Sequence, residues 1–268
     1  MKEHLKKHIC SKLNELADQH NIKILHAIES GSRAWGFPSK DSDYDVRFIY
    51  VHNLDHYLSV DRKRDVIETP IVHDPTLSVD FDMNGWDLKK AVYLALRGNA
   101  VVNEWHTSPI QYVYNEEFHS NLKKFINQVS DLKAYYHFYR NYMRQPWESY
   151  REDQAKQIKI KHYCYVLRCA LALKWLDNQK TPPPMDVPSL LKGGSFSQEL
   201  KDQIELLISK KAEAIEANTI ERNQTLDEFI DKTILVDRQR PFKDKLQETH
   251  IDKANQLFKE MVLLNNSK

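Results

Sequence analysis

The sequence predicts an α+β chain: a small mixed sheet with helices on one side, followed by an all-helical part. Three observations lead there. Two β-rich runs, residues 22–28 and 47–51, flank a stretch dense in turn-forming residues. A third run, residues 77–83, alternates apolar side chains with Ser78, Asp80 and Asp82. Past residues 109–117 the β signal fades and apolar residues recur at helical spacing. The expected division is therefore 1–112 and 113–268, with the second part closing a cleft over the first.

Whole-chain properties narrow the class. A chain of 268 residues, 41% hydrophobic and 29% charged, has the make-up of a soluble globular protein with a sizeable core. No run of 18 apolar residues exists, so no membrane partner is expected. The N-terminal MKEHLKKHICSKLNELADQ mixes charges throughout and lacks the apolar centre of a secretory signal. Cys10, Cys164 and Cys169 show no metal-type spacing and read as reduced thiols of a cytoplasmic protein. The net charge of +1 decides nothing about nucleic acid.

In chain order, Leu5, Ile9, Leu13 and Leu16 mark an amphipathic helix over 2–20, with Asn21 as its end. A short helix is expected over 54–59, and Val66, Ile67 and Ile71 suggest hairpin strands. Asn84-Gly85-Trp86-Asp87 is expected to open a helix reaching about Arg97, with a short helical piece around Glu104 and Trp105. Trp86 and Trp105 read as core. Later helices are expected over 200–217, 225–234 and 252–264.

The chemistry concentrates in residues 27–51. Asp43 and Asp45 sit two apart on a strand, so their carboxylates share a face and repel unless a compensating charge or a shared proton holds them together. Oxygen ligands of this kind suit Mg²⁺ or Mn²⁺. The backbone N–H groups of the Gly31-Ser32 turn can cradle phosphate oxygens. Taken singly, such a pair is usually a solvated strand end and such a turn an ordinary one; together they equip metal-assisted phosphoryl or nucleotidyl transfer. Asp80 and Asp82 share a face of the third strand, and either could add a further carboxylate.

A second candidate region spans residues 121–180, with twelve basic and five acidic residues, among them Asp153. Tyr135, Tyr136, Phe138, Tyr139, Tyr142, Trp147 and Tyr150 interleave with them. Such a mixture suits a phosphate-rich partner, charges for the backbone and rings for the bases; a helical bundle with an aromatic core reads equally well. On the apolar helix that follows, Lys161, Tyr165 and Arg168 fall at i, i+4 and i+7 and share a face. A cationic stripe on a largely buried helix needs anionic partners, either a nucleotide or an acidic residue of the chain.

The strings Glu29-Ser30-Gly31-Ser32-Arg33-Ala34-Trp35-Gly36-Phe37 and Asp41-Ser42-Asp43-Tyr44-Asp45-Val46-Arg47 resemble the polymerase-β-like nucleotidyltransferase superfamily, and within it the RlaP-like branch named for an RNA-repair pathway. Gly-Trp-Asp-Leu at 85–88, Glu-Trp at 104–105, Ser-Pro-Ile at 108–110 and the proline-rich turn at 181–185 continue the resemblance. It implies the superfamily's mixed sheet, and an enzyme that moves a nucleoside monophosphate from a nucleoside triphosphate, ATP first, to a hydroxyl acceptor such as an RNA end. It implies Asp43, Asp45 and Asp82 as catalytic carboxylates holding Mg²⁺ or Mn²⁺, with Asp80 the second choice to Asp82. Gly31, Ser32, Arg33, Arg47, Lys161, Tyr165 and Arg168 are implied as nucleotide contacts, although Arg47 can also reach a sheet carboxylate. Adenylylation of a protein or small molecule uses the same chemistry. A non-catalytic nucleotide-binding regulator is the remaining alternative. Oligomeric state is not legible.

Overall fold

The computed structural model describes residues 2–152, 156–215, 217–235 and 247–266; Asp153 lies outside them. Two compact units emerge: Met1–Gly31 with Asp43–Ser130 and Lys245–Lys268, and Ser32–Ser42 with Asp131–Asp244. In chain order the elements are α1 (Glu3–His20), β1 (Lys23–Glu29), α2 (Gly31–Trp35), β2 (Tyr44–Val51), α3 (Leu54–Leu58), β3 (Val66–Glu68), β4 (Val72–Asp74) and β5 (Val79–Asp87). There follow α4 (Leu88–Leu96), α5 (Ala100–Thr107), β6 (Gln111–Tyr114), α6 (Glu116–Val129), α7 (Leu132–Glu152), β7 (Gln157–Lys159) and α8 (Ile160–Gln179). The rest are α9 (Val187–Lys192), α10 (Gln198–Glu213), β8 (Thr219–Glu221), α11 (Gln224–Ile230), a π-helical turn (Asp231–Leu235) and α12 (Glu248–Asn266).

The first unit is built on a mixed sheet in the order β3-β5-β2-β1-β6, with β4 also paired to β5. Among the described residues of this sheet, β2 and β5 run parallel and the other pairs are antiparallel. Alternation along β1 and β2 sends successive side chains into two cores. Leu25, Ile28, Ile49 and Val51 pack with α4, α5, α6 and α12. Ala27, Val46, Phe48 and Tyr50 pack with Ile9, Leu13 and Leu16 of α1. Helices thus cover both faces, where one was expected, because the strands are apolar on both sides. Asn21 ends α1 in the left-handed region, at φ 50°, and its amide reaches the carbonyls of Ala17 and Asp18.

Several expectations are corrected here. Gly31-Ser32 opens a one-turn helix, α2, and not a bare turn. The strand pair β3 and β4 forms no hairpin; both pair with β5. The helix expected from Asn84 begins only at Leu88, because Asn84 to Asp87 are still paired to β2. Asp87 then caps α4, accepting from the Lys89 amide at 2.7 Å. The four-residue β6 pairs with β1 inside the stretch read as a boundary. Trp86 and Trp105 stack at 4.0 Å in the core, as expected.

Among the described residues, the second unit is helical apart from a two-stranded ribbon of β7 and β8. Its spine is α8, whose buried face runs through Tyr163, Val166, Leu167, Ala170 and Leu173. On α7, Tyr135, Tyr136, Tyr139 and Trp147 are at most 1% exposed. Their helical spacing forms a single inward stripe, so these rings are core and not a base-stacking platform. Tyr142 alone of the α7 aromatics is largely exposed.

Candidate functional site

In the sheet unit, parallel pairing of β2 with β5 sets Asp45 opposite Asp82 and Arg47 opposite Asn84. Asp45, Arg47 and Asp82 therefore lie on one face of two adjacent strands. The Arg47 guanidinium bridges the two carboxylates, Nη2 donating to Asp45 Oδ1 at 2.9 Å and Nη1 to Asp82 Oδ2 at 2.8 Å. All three side chains are part-exposed. Of the two routes open to Arg47, the structure shows the sheet-carboxylate one. Asp43 is half-buried one residue ahead of β2. Asp80 turns to the sheet edge and pairs with His73 at 3.4 Å, with both side chains well exposed. Register thus places Asp82, and not Asp80, beside Asp45.

Three residues at the end of β1 and the start of α2 hold Asp45 in place. A Cβ on Gly31, whose φ is +60°, would come 2.0 Å from Asp45 Oδ2. Only glycine lets the backbone pass so close to that carboxylate. Glu29, fully buried, accepts from the Asp45 amide at 2.9 Å through Oε1 and from the Tyr112 hydroxyl through Oε2. The Ser30 amide donates to the Asp45 carbonyl at 2.8 Å. Sequence reasoning quoted Glu29 without giving it a task. The available signal was an acid at the end of an otherwise apolar strand, where burial demands partners.

In the other unit the remaining residues form two groups. Ser32 Oγ donates to Ser42 Oγ at 2.9 Å, and an Arg33 Nη donates to the Ser42 carbonyl at 2.6 Å. These bonds tie the start of α2 to the end of the loop that follows it. On α8, the Lys161 ammonium lies 5.8 Å from the Tyr165 ring centre, and Tyr165 meets Trp35 edge-on at 4.9 Å. Arg168 is 2% exposed, stacks 4.2 Å over Trp35 and donates to the Met185 carbonyl at 3.3 Å. The shared face of Lys161, Tyr165 and Arg168 is present, with Tyr165 and Arg168 both meeting Trp35; Arg168 is sunk among aromatics and a backbone carbonyl.

The donor set in the sheet unit fits a hard divalent cation. Asp45 and Asp82 already share one cationic group, the guanidinium of Arg47, and Asp43 adds a carboxylate beside them in sequence. Residues 5–260 match the family described as the RNA repair pathway DNA polymerase beta family, RlaP. The chain belongs to that family. The uncharacterized protein YcgL of Bacillus subtilis (strain 168) is 39% identical to it over 232 residues, covering 86% of this chain and 85% of the relative. A nucleotidyltransferase-like protein from Exiguobacterium sibiricum 255-15, known from a crystal structure, aligns over 95% of this chain and 76% of its own, at 11% identity and a TM-score of 0.29. Membership of RlaP suggests a nucleotidyltransferase-like protein. No helix among the described residues is long and apolar enough to cross a membrane.

Proposed function

We propose that this RlaP chain is a metal-dependent nucleotidyltransferase that moves a nucleoside monophosphate from a nucleoside triphosphate, ATP first, to the hydroxyl of an RNA end. The observation that supports it is the registered pair Asp45 and Asp82, bridged by the Arg47 guanidinium. Mg²⁺ or Mn²⁺ held by Asp43, Asp45 and Asp82 would supply Lewis-acid polarisation of the α-phosphate. Arg47 balances the carboxylates in the absence of substrate and keeps them side by side. Asp82 takes the acceptor's proton; the acceptor oxygen bonds the α-phosphorus, the bond to the bridging oxygen breaks, and pyrophosphate leaves. The triphosphate contacts assigned to Gly31, Ser32, Arg33, Lys161, Tyr165 and Arg168 belong to the same reading, carried by the family resemblance. RNA as acceptor rests on the family's description, since the α7 aromatics are mostly core.

The test is transfer of label from a triphosphate marked at the α-phosphate, with RNA, protein extract or no acceptor, in Mg²⁺ or Mn²⁺. Labelled RNA from the native chain, and none from Asp45→Asn or Asp82→Asn, is the expected result. Labelled protein, or pyrophosphate release without a labelled polymer, replaces RNA by a protein or small acceptor. Tight nucleotide binding with no transfer to any acceptor overturns the catalytic reading in favour of a regulator.

A further inference from the structure

A second polar cluster lies in the sheet unit, away from Asp45 and Asp82 along the same strand pair. His52 follows directly on β2, His56 is in α3, and Asp87 ends β5. One ligand atom from each lies within 4.8 Å of the others. Register explains the meeting: Tyr50 is the parallel partner of Asp87, and His52 is two residues beyond Tyr50. Asp87 is buried, and the two imidazoles are half-buried and stacked at 3.5 Å.

Three features set this cluster apart from a chance gathering. Among the described residues, no ring nitrogen of His52 or His56 is engaged in a hydrogen bond; the rings are stacked 8° from parallel, so one of them turns about its Cβ–Cγ bond for both to meet one ion. The Tyr57 hydroxyl donates to Asp87 Oδ2 at 2.8 Å and accepts from the His52 amide at 3.2 Å, and so orients the carboxylate and one histidine together. This is the outer support that metal-binding carboxylates characteristically have. Finally, the Tyr50 hydroxyl is fully buried, with no hydrogen-bond partner among the described residues, and its ring stands edge-on 5.4 Å from His52. It is a polar group on this face that still needs a neighbour.

We propose that His52, His56 and Asp87 bind a divalent transition-metal ion of the Zn²⁺ class, at a site separate from the carboxylates at Asp45 and Asp82. Two imidazoles and one carboxylate match the ligand preferences of Zn²⁺ and its neighbours, whereas Mg²⁺ prefers oxygen alone. Three protein ligands leave one position open. His56 and Asp87 also line a cavity of about 840 Å³, so that position can take water or an outside ligand. The ion would pin the end of β2, α3 and the start of α4 to one another.

The experiment titrates the chelator-stripped full chain with Zn²⁺ against a chromogenic chelator, and with Co²⁺ followed by visible absorption. Expected are one equivalent of Zn²⁺ and the intense visible bands of four-coordinate Co²⁺. The stoichiometry should persist in Asp45→Asn and vanish in His52→Gln and His56→Gln. Asp87→Asn keeps an oxygen to cap α4 and should still weaken binding, while Tyr57→Phe should weaken it about 10–100-fold. A weak octahedral Co²⁺ spectrum in the native chain overturns the proposal without recourse to any variant. So does Zn²⁺ binding that survives both histidine changes or disappears in Asp45→Asn.

Discussion

Gly31 and Arg47 act on the two oxygens of the same carboxylate, Gly31 beside Asp45 Oδ2 and Arg47 on Oδ1. Gly31→Ala would set a methyl group 2.0 Å from Asp45 Oδ2 and hold alanine at φ +60°. The left-handed conformation alone costs about 1–2 kcal/mol, and Asp45 must also shift. The denaturation midpoint should fall modestly while nucleotidyl transfer falls much further, because the displaced group is a proposed catalytic one. Equal losses in both would sink the assignment of Asp45. Arg47→Met removes the guanidinium that bridges Asp45 and Asp82, and losing both of its charged hydrogen bonds should cost about 1–3 kcal/mol. If those carboxylates bind Mg²⁺, adding it should restore more stability to Arg47→Met than to the native chain, as read from melting curves with and without the ion. Such pairing was readable as a possibility from Asp43-Tyr44-Asp45-Val46-Arg47. Which of Asp80 and Asp82 took part was not, since both share a strand face and only register separates them.

Elements with strong local signals were legible. Residues 2–20, with four apolar residues at helical spacing and an asparagine stop, form α1 almost as read. Those that depend on a distant partner were not. Gln111 to Tyr114 has too little pattern to announce a strand, and β6 exists because β1 offers it an edge. Asn84-Gly85-Trp86 reads as a helix start, yet pairing with β2 keeps it extended to Asp87, and the glycine is where the Phe48 ring crosses. Helix α12 carries no chemistry in its sequence, but Ala254, Leu257, Met261 and Val262 are buried in the core shared with α4 and α6. It should therefore matter to the sheet unit as much as a strand does. Leu257→Ala should cost about 2–5 kcal/mol, the usual range for a buried leucine. Urea unfolding followed at Trp86 and Trp105 would register it, and an unchanged midpoint would show that α12 is dispensable to that core.

For the whole molecule, a formal charge of +1 conceals histidines that cannot easily add to it. His26 and His106 are almost fully buried near half-buried His119, whose ring stacks 3.9 Å from that of His106. Burial first, and the neighbouring imidazoles second, push the His26 pKa down to about 4 and that of His106 to about 3; Lys123 adds to the effect on His106. The backbone carbonyl of Trp105, 3.1 Å from His26 Nε2, opposes the shift without cancelling it. In the unfolded chain both imidazoles titrate near their ordinary value, about 6.5. Below that pH the unfolded state takes up protons that the folded state refuses, so stability is complete above about 6.5 and drains away as pH falls toward the folded values. By pH 5 each histidine should have removed about 2 kcal/mol. The urea midpoint should accordingly drop between pH 7 and pH 5, and His26→Asn should flatten that drop even if it lowers the midpoint at pH 7. A native chain equally stable at both pH values would mean that these imidazoles reach protons without unfolding, and the closed core drawn between β1, α5 and α6 would have to open to let them in.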